Sequence, residues 1–206
     1  MEIILATRNI DKLKHFSIFF KDLGLSLALP REEINVDEDL PTLKDNAEKK
    51  ALTYSDLYPQ QFIIASDGGI TIPYLGNNWN HVLTRRLSGL DATGVFTDRQ
   101  RCEALLALLK NAKGDERRVS WREAYAVARG GRILFSGELS GADNQGILLD
   151  YIPDDFQESG YWIGYVWYDP RFKKTFMRLT DEEKKSRDSA MAQFMQVVRE
   201  RNIFKQ

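Results

Sequence analysis

The sequence predicts an α/β fold, and three observations carry that expectation. Residues 3–29 read as strand, loop, helix and strand; Phe62-Ile63-Ile64 reads as a short buried strand; and alternating residues from Val119 to Ser136 read as an antiparallel meander. The chain has 206 residues, 43% of them hydrophobic, which suffices for one large domain or two small lobes around a real core. A formal net charge of -1 supplies no overall field that would draw the protein to a nucleic acid polymer or a membrane surface. The single cysteine, Cys102, cannot close an internal disulfide, and no Cys/His spacing resembles a zinc site. No signal peptide and no apolar run of membrane-spanning length is evident, so a soluble protein of a reducing compartment, the cytoplasm, is expected.

Taken in order, Ile3-Ile4-Leu5 forms the first strand and Ala6-Thr7-Arg8-Asn9 a polar loop. Leu13, Phe16, Phe19, Phe20 and Leu23 recur at helical spacing over Asp11–Leu23, with Asp11 as the cap and Gly24 as the stop. Leu25, Leu27 and Leu29 alternate as a second strand that Pro30 ends. Residues 31–41 form an acidic loop, and a helix from Leu43 to about Tyr54 puts Ala47, Ala51 and Tyr54 on one side. After the strand at 62–64, Leu75–Asn78 is a loop and Trp79–Leu87 a helical turn or irregular segment. Arg101–Lys110 reads as an amphipathic helix carrying Leu105, Leu106, Leu108 and Leu109. Arg129-Gly130-Gly131 joins two alternating runs as a hairpin, and a third extended segment covers 137–146. This meander predicts either a distinct lobe or an extension of the sheet. Tyr161, Trp162, Tyr165, Trp167 and Tyr168 suit core and edge strand, or platforms for a nucleobase. Thr180-Asp181-Glu182-Glu183 is a capping box opening one last helix, with Met191, Phe194, Met195 and Val198 inward.

The candidate chemistry centres on Ser66-Asp67-Gly68-Gly69. The strand is expected to end at Ser66-Asp67 and the glycines to turn the backbone sharply, which presents a carboxylate beside unobstructed backbone. Such a place suits a metal ion or a phosphate, and an ordinary Asp-Gly hairpin turn is the plainer reading. Thr7, Asn9 and Lys12 stand at a helix N-terminus, where free N–H groups and the dipole favour an anion; a capped surface helix is the plainer reading there too. Asp45, Asn46, Lys49 and Lys50 lie near the start of the second helix, so Asp45 is either a dipole partner or a second carboxylate sharing a cation with Asp67. Arg85-Arg86 is surface decoration or a phosphate fork.

In this order the pieces resemble the inosine triphosphate pyrophosphatase family. Ala6-Thr7-Arg8-Asn9-Ile10-Asp11-Lys12 is similar to the family's (S/A)-T-x-N-x-x-K opening, and Leu43-Lys44-Asp45-Asn46-Ala47-Glu48-Lys49-Lys50-Ala51 to its F-x-E-N-A-x-x-K-A helix. Ala65-Ser66-Asp67-Gly68-Gly69-Ile70-Thr71-Ile72 with Leu75-Gly76 resembles A-D-D-S-G-L-x-V-x-x-L-x-G, and Arg86-Leu87-Ser88-Gly89 the R-(Y/F)-(S/A)-G segment. Phe135-Ser136-Gly137-Glu138 with Gly141 falls on F-x-G-x-x-x-G, and Lys174-Thr175-Phe176, Leu179-Thr180 and Glu183-Lys184 on the K-T-(F/A) to E-K block. The resemblance implies a single α/β domain over residues 1–206: a long mixed β-sheet flanked by helices, two lobes and a central cleft. It implies a homodimer and Mg²⁺-dependent hydrolysis of deaminated purine nucleoside triphosphates (ITP, dITP or XTP) to the monophosphate and pyrophosphate. By position, Asp67 is base or metal ligand and Asp45 the second metal ligand. Lys12 is catalytic and, with Thr7, Arg8, Asn9, Asn46, Lys50, Gly68, Gly69, Arg86, Trp162 and Lys174, substrate-binding.

Several positions depart from the pattern. Arg8 adds bulk and charge where the family often has Gly, Asp45 is one methylene shorter than Glu, Ser66 replaces the first paired aspartate, and Gly68 the serine. Counted back from Lys174-Thr175 without gaps, G-F-G-Y-D-P falls on Gly160-Tyr161-Trp162-Ile163-Gly164-Tyr165, which lacks an aspartate; Tyr168-Asp169-Pro170 matches by letters but later. S-H-R falls on Asp188-Ser189-Ala190, with Ser186-Arg187 a partial echo. Three readings follow: a Mg²⁺-dependent pyrophosphatase, with the family's or an altered base choice; a nucleotide-binding homologue without catalysis; and an unrelated α/β binding module.

Overall fold

The structure, a computed structural model, describes residues 2–32, 34–141 and 143–205. Its first half runs β1 (Glu2–Leu5), α1 (Ile10–Phe20), β2 (Ser26–Ala28), α2 (Leu43–Leu57), β3 (Phe62–Thr71) and α3 (Asp98–Leu108). The second half runs β4 (Arg118–Arg129), β5 (Arg132–Leu139), β6 (Gln145–Leu148), α4 (Ile163–Val166), β7 (Trp167–Asp169), β8 (Lys174–Thr175), α5 (Asp181–Arg187) and α6 (Ser189–Glu200). The strands form one eight-stranded mixed sheet in the order β2-β1-β3-β4-β6-β7-β8, with β5 paired to β4. β1 is parallel to β2 and β3, the strands that follow α1 and α2, because a parallel pair requires a crossover. The meander pairings of β4 with β5 and β6, β6 with β7, and β7 with β8 are antiparallel. No helix among the described residues is long and apolar enough to cross a membrane.

The chain divides into two compact units. One comprises Met1–Gly68, Glu123–Gly141 and Asp188–Gln206, the other Gly69–Arg122 and Ala142–Arg187. The first unit has its own core, in which Ile3, Leu5, Phe16, Phe20, Ile64 and Phe194 are fully or almost fully buried and the Tyr125 ring stacks on Phe194 at 4.6 Å. The second has another, built on Ile70, Cys102, Leu105, Leu148, Val166 and Trp167.

Several expectations change. The sharp turn at Gly68-Gly69 is not there: β3 continues unbroken through both glycines to Thr71, so Asp67 sits inside a strand. Gly69 serves close approach instead, since a Cβ there would lie 1.9 Å from the His81 carbonyl oxygen, and Ile70 N–H donates to Thr84 Oγ1 at 2.9 Å beside it. Asn9, not Asp11, caps α1, accepting from the N–H groups of Asp11 and Lys12 at 2.9 and 3.1 Å, and the helix ends at Phe20 before a 3-10 turn that Gly24 closes at φ 65°. α3 starts earlier than Arg101, because Thr97 and Gln100 close a reciprocal capping box. The hairpin has the expected form, with Gly130 and Gly131 at φ 56° and 71°. The predicted last helix is two: Asp188 breaks the run and caps α6 by accepting from Met191 N–H at 3.0 Å.

Candidate active site

The first unit gathers a cluster of charge around the Ser66-Asp67 peptide. α1 carries Lys12 on its first turn, set by the Asn9 cap, while Thr7 Oγ1 accepts from Asn9 N–H at 3.1 Å and shapes the loop. Thr42 caps α2 by accepting from Asp45 N–H at 3.1 Å, which fixes the helical turn bearing Asn46 and Lys50. The ammonium groups of Lys12 and Lys50 both donate to the Ser66 carbonyl oxygen, each at 3.3 Å. Two cations sharing one acceptor lie within twice that distance of each other, and at an effective dielectric near 20 they repel by at least roughly 2.5 kcal/mol. Each therefore has its own anion. Lys12 pairs with Glu123 of β4 at 3.5 Å, and Lys50 pairs with Glu38 of the acidic loop. Asn46, 1% exposed, pins that loop by accepting from Leu40 N–H at 3.0 Å.

Asp67 is buried among these groups. Its Oδ1 accepts from Gly68 N–H at 3.0 Å, and its Oδ2 is buried with no hydrogen-bond partner among the described residues. Burial pushes its pKa up to about 6, the Glu38 charge adding to the effect while the Lys50 and Lys12 charges and the nearby Asn46 amide oppose it. A carboxylate poised near neutrality with one open oxygen suits proton transfer. The same oxygen suits a hard cation. No group of three or more His, Cys, Asp or Glu side chains able to hold a metal occurs among the described residues, yet Mg²⁺ takes one or two carboxylates plus substrate phosphates, so an Asp67 site fits it.

The structure thus brings Lys12, Asn46, Lys50 and Asp67 together, with Thr7 and Asn9 on the loop leading to Lys12. Arg8 is exposed on that loop, and Asp45 is half-buried in the first turn of α2. The groups whose charges act on Asp67 include Glu38, which sequence reasoning left in an undifferentiated acidic loop. Glu123 was also missed, because its position in an alternating strand carries no local signal of a buried partner.

Gly68 closes the first segment of the first unit, and Gly69, Arg86, Trp162 and Lys174 belong to the second unit. Gly69 serves the His81 approach, and Arg86 is half-buried on the 3-10 turns His81–Gly89. Trp162 is 5% exposed and packs in the second core. Lys174 donates to both carboxyl oxygens of Glu183 at 2.8 and 3.0 Å, and Glu183 also completes the capping box on Thr180. Asp169 of the late Tyr168-Asp169-Pro170 faces Lys174 across the short β7–β8 hairpin. Asp169 is fully buried, with Arg171 and Arg187 at 3.2 and 3.0 Å. Burial alone would raise its pKa, but the two guanidinium groups outweigh this and hold it below the usual carboxylate range.

Comparison with known proteins agrees with this architecture. The Ham1 family pattern matches residues 3–197, and the chain belongs to that family. It is 28% identical over 193 residues to a dITP/XTP pyrophosphatase of Clostridium perfringens, covering 89% of this chain and 88% of that one. A dITP/XTP pyrophosphatase of Caldanaerobacter subterraneus is likewise 28% identical, over 189 residues, with 89% and 88% covered. The solved HAM1 protein of Coxiella burnetii superimposes with a TM-score of 0.74 at 23% identity, covering 97% of this chain and 99% of that one, which shows the same fold.

Proposed function

We propose that this protein hydrolyses nucleoside triphosphates to the monophosphate and pyrophosphate, with deaminated purine nucleotides such as dITP, ITP and XTP as the substrate class. One observation carries the reading: Asp67, buried with an open Oδ2, lies beside two lysines that converge on the adjacent carbonyl. The activity of the Clostridium perfringens relative supports the substrate class. Asp67 Oδ2 accepts the proton of the attacking water, and its elevated pKa makes it a stronger base than an ordinary carboxylate while leaving it largely ionised at neutral pH. Lys12 and Lys50 exchange their carboxylates for phosphate oxygens, and Asn9 and Thr7 hold the loop that approaches the polyphosphate. Metal ligation is the alternative role for the same oxygen: Asp67, with Asp45 or Glu38, would then hold Mg²⁺, which would neutralise charge on the departing pyrophosphate, and Asp67 would not serve as the base. Homodimerisation and a cytoplasmic location belong to the same proposal.

A second reading, altered base choice, is favoured by the enclosure of Asp169 between two arginines and the burial of Trp162. Pyrophosphate release from a panel of ITP, dITP, XTP, GTP, ATP and dUTP with Mg²⁺ tests both. Release from the deaminated purines supports the main reading, release from another nucleotide the second. No release from any of them, with Mg²⁺ or Mn²⁺, overturns the proposal.

A further inference from the structure

Glu123 has a role that the pyrophosphatase reading does not require. It stands on β4, the strand beside β3, is 6% exposed, and approaches the Lys12 ammonium at 3.5 Å through Oε1. Its other oxygen, Oε2, accepts from the Tyr125 hydroxyl at 3.3 Å, and Tyr125 is itself fully buried and stacked on Phe194. The carboxylate is therefore held from below by a rigid aromatic. Lys12 is held between that carboxylate and the Ser66 carbonyl, its side chain 18% exposed. Ser66 meets Lys12 through its carbonyl dipole, and its buried hydroxyl has no hydrogen-bond partner among the described residues. Of the anions paired with the two lysines, Glu38 comes from a loop and is half-buried, whereas Glu123 comes from the interior of a strand.

We propose that Glu123 is a positioning residue: it sets the Lys12 ammonium in place before substrate arrives, acting through Lys12 rather than on the substrate. The proposal rests on the function proposed above, in which Lys12 grips the polyphosphate. A carboxylate that serves a cation has a distinctive consequence. While Lys12 is present, removing Glu123 lets the ammonium wander and slows turnover. Once Lys12 is gone, Glu123 is a buried negative charge that has lost the Lys12 ammonium and lies beside an anionic ligand, and removing it helps. The effect of the same substitution thus reverses sign between the two backgrounds. A residue with a merely structural role would give the same loss in both.

The experiment compares the full chain with Glu123→Gln, Lys12→Met and the double variant in two readouts. The first is kcat and KM for pyrophosphate release with Mg²⁺. The second is calorimetric affinity for inorganic tripolyphosphate without divalent metal, which does not depend on turnover. Glu123→Gln is expected to lower kcat about tenfold with KM changed less than threefold. Lys12→Met is expected to weaken tripolyphosphate about tenfold, and the double variant to recover at least threefold of that loss. Equal fold-losses from Glu123→Gln in both backgrounds, or a kcat within twofold of the wild type, would overturn the proposal. If Glu123→Gln does not fold, Glu123→Ala, which likewise removes the charge, carries the same comparison. A wild type that binds tripolyphosphate through Lys12 yet releases no pyrophosphate from any nucleotide defeats the function proposed above. The tripolyphosphate comparison still decides the role of Glu123.

Discussion

Replacing Asp67 by Asn removes one charge at nearly constant shape, and the structure sets both the sign and the size of the result. In the folded chain the carboxyl pKa is about 6 against an ordinary 3.8, and each tenfold change in proton affinity corresponds to about 1.4 kcal/mol. The folded-state value lies above the unfolded one, so folded protein binds the proton more tightly. Stability is therefore fullest below 3.8 and is lost as pH rises through about 6. At pH 7.5 the ionised Asp67 costs the metal-free protein up to about 3 kcal/mol, which an amide does not incur. For a chain of this size 1 kcal/mol moves Tm by about 2–4 °C, so Asp67→Asn is expected to raise Tm at pH 7.5 by up to about 10 °C. The gain should shrink to almost nothing near pH 3.5, where the wild-type carboxyl is neutral. Turnover should fall roughly 10²–10⁴-fold in the same variant, and Mg²⁺ should raise the Tm of the wild type but not of the variant. Thermal unfolding followed by circular dichroism over that pH range is the assay. A variant less stable than the wild type at pH 7.5 would refute the reasoning, because it would mean that Lys12 and Lys50 outweigh burial.

Other substitutions test the frame around the site. Gly69→Ala drives a methyl group into the His81 carbonyl and should lower stability by about 1–3 kcal/mol in urea titrations, by overpacking rather than backbone strain. Asp188→Ala removes the α6 cap and the 2.8 Å pairing with His15, so a loss of about 1–3 kcal/mol is expected from the same measurement. Arg187→Met leaves Asp169 with Arg171 alone; breaking a buried pair costs about 3–5 kcal/mol, and the remaining guanidinium should hold the loss at or below the lower figure.

Much of the fold is legible because short-range signals agree with it. The apolar periodicity of residues 3–29 forms β1, α1 and β2, and Gly130-Gly131 turns the chain where two alternating runs meet. The misreadings occur where one residue type serves two purposes. A glycine pair after an aspartate signals a turn locally, but Gly69 is required by the approach of His81, twelve residues away in the chain. Asp188 looks like an interior helical position until its carboxylate is seen capping a new helix and meeting His15 from α1. The convergence of Lys12, Asn46, Lys50 and Asp67 was suggested by family-like spacing. The partners Glu38 and Glu123 were not, since their importance arises only when the tertiary fold places them against a lysine.

The correction at Gly68-Gly69 changes the chemistry as well as the secondary structure. An aspartate on a turn can swing into water, regain its hydration and keep an ordinary pKa. Asp67 cannot, because β3 continues on both sides of it, with Ala65 and Ile70 fully buried. Its backbone is fixed, its Oδ1 is tied to Gly68 N–H, and the only relief left for Oδ2 is a proton, a water or a cation. Strand geometry thus turns burial into a persistent affinity for whatever neutralises that oxygen. The two lysines do not satisfy it, since their ammonium groups donate to the Ser66 carbonyl and pair with Glu123 and Glu38. A carboxyl ¹³C titration that placed Asp67 near 3.8 would show that water reaches Oδ2 freely, and the case for a preorganised base would fall with it.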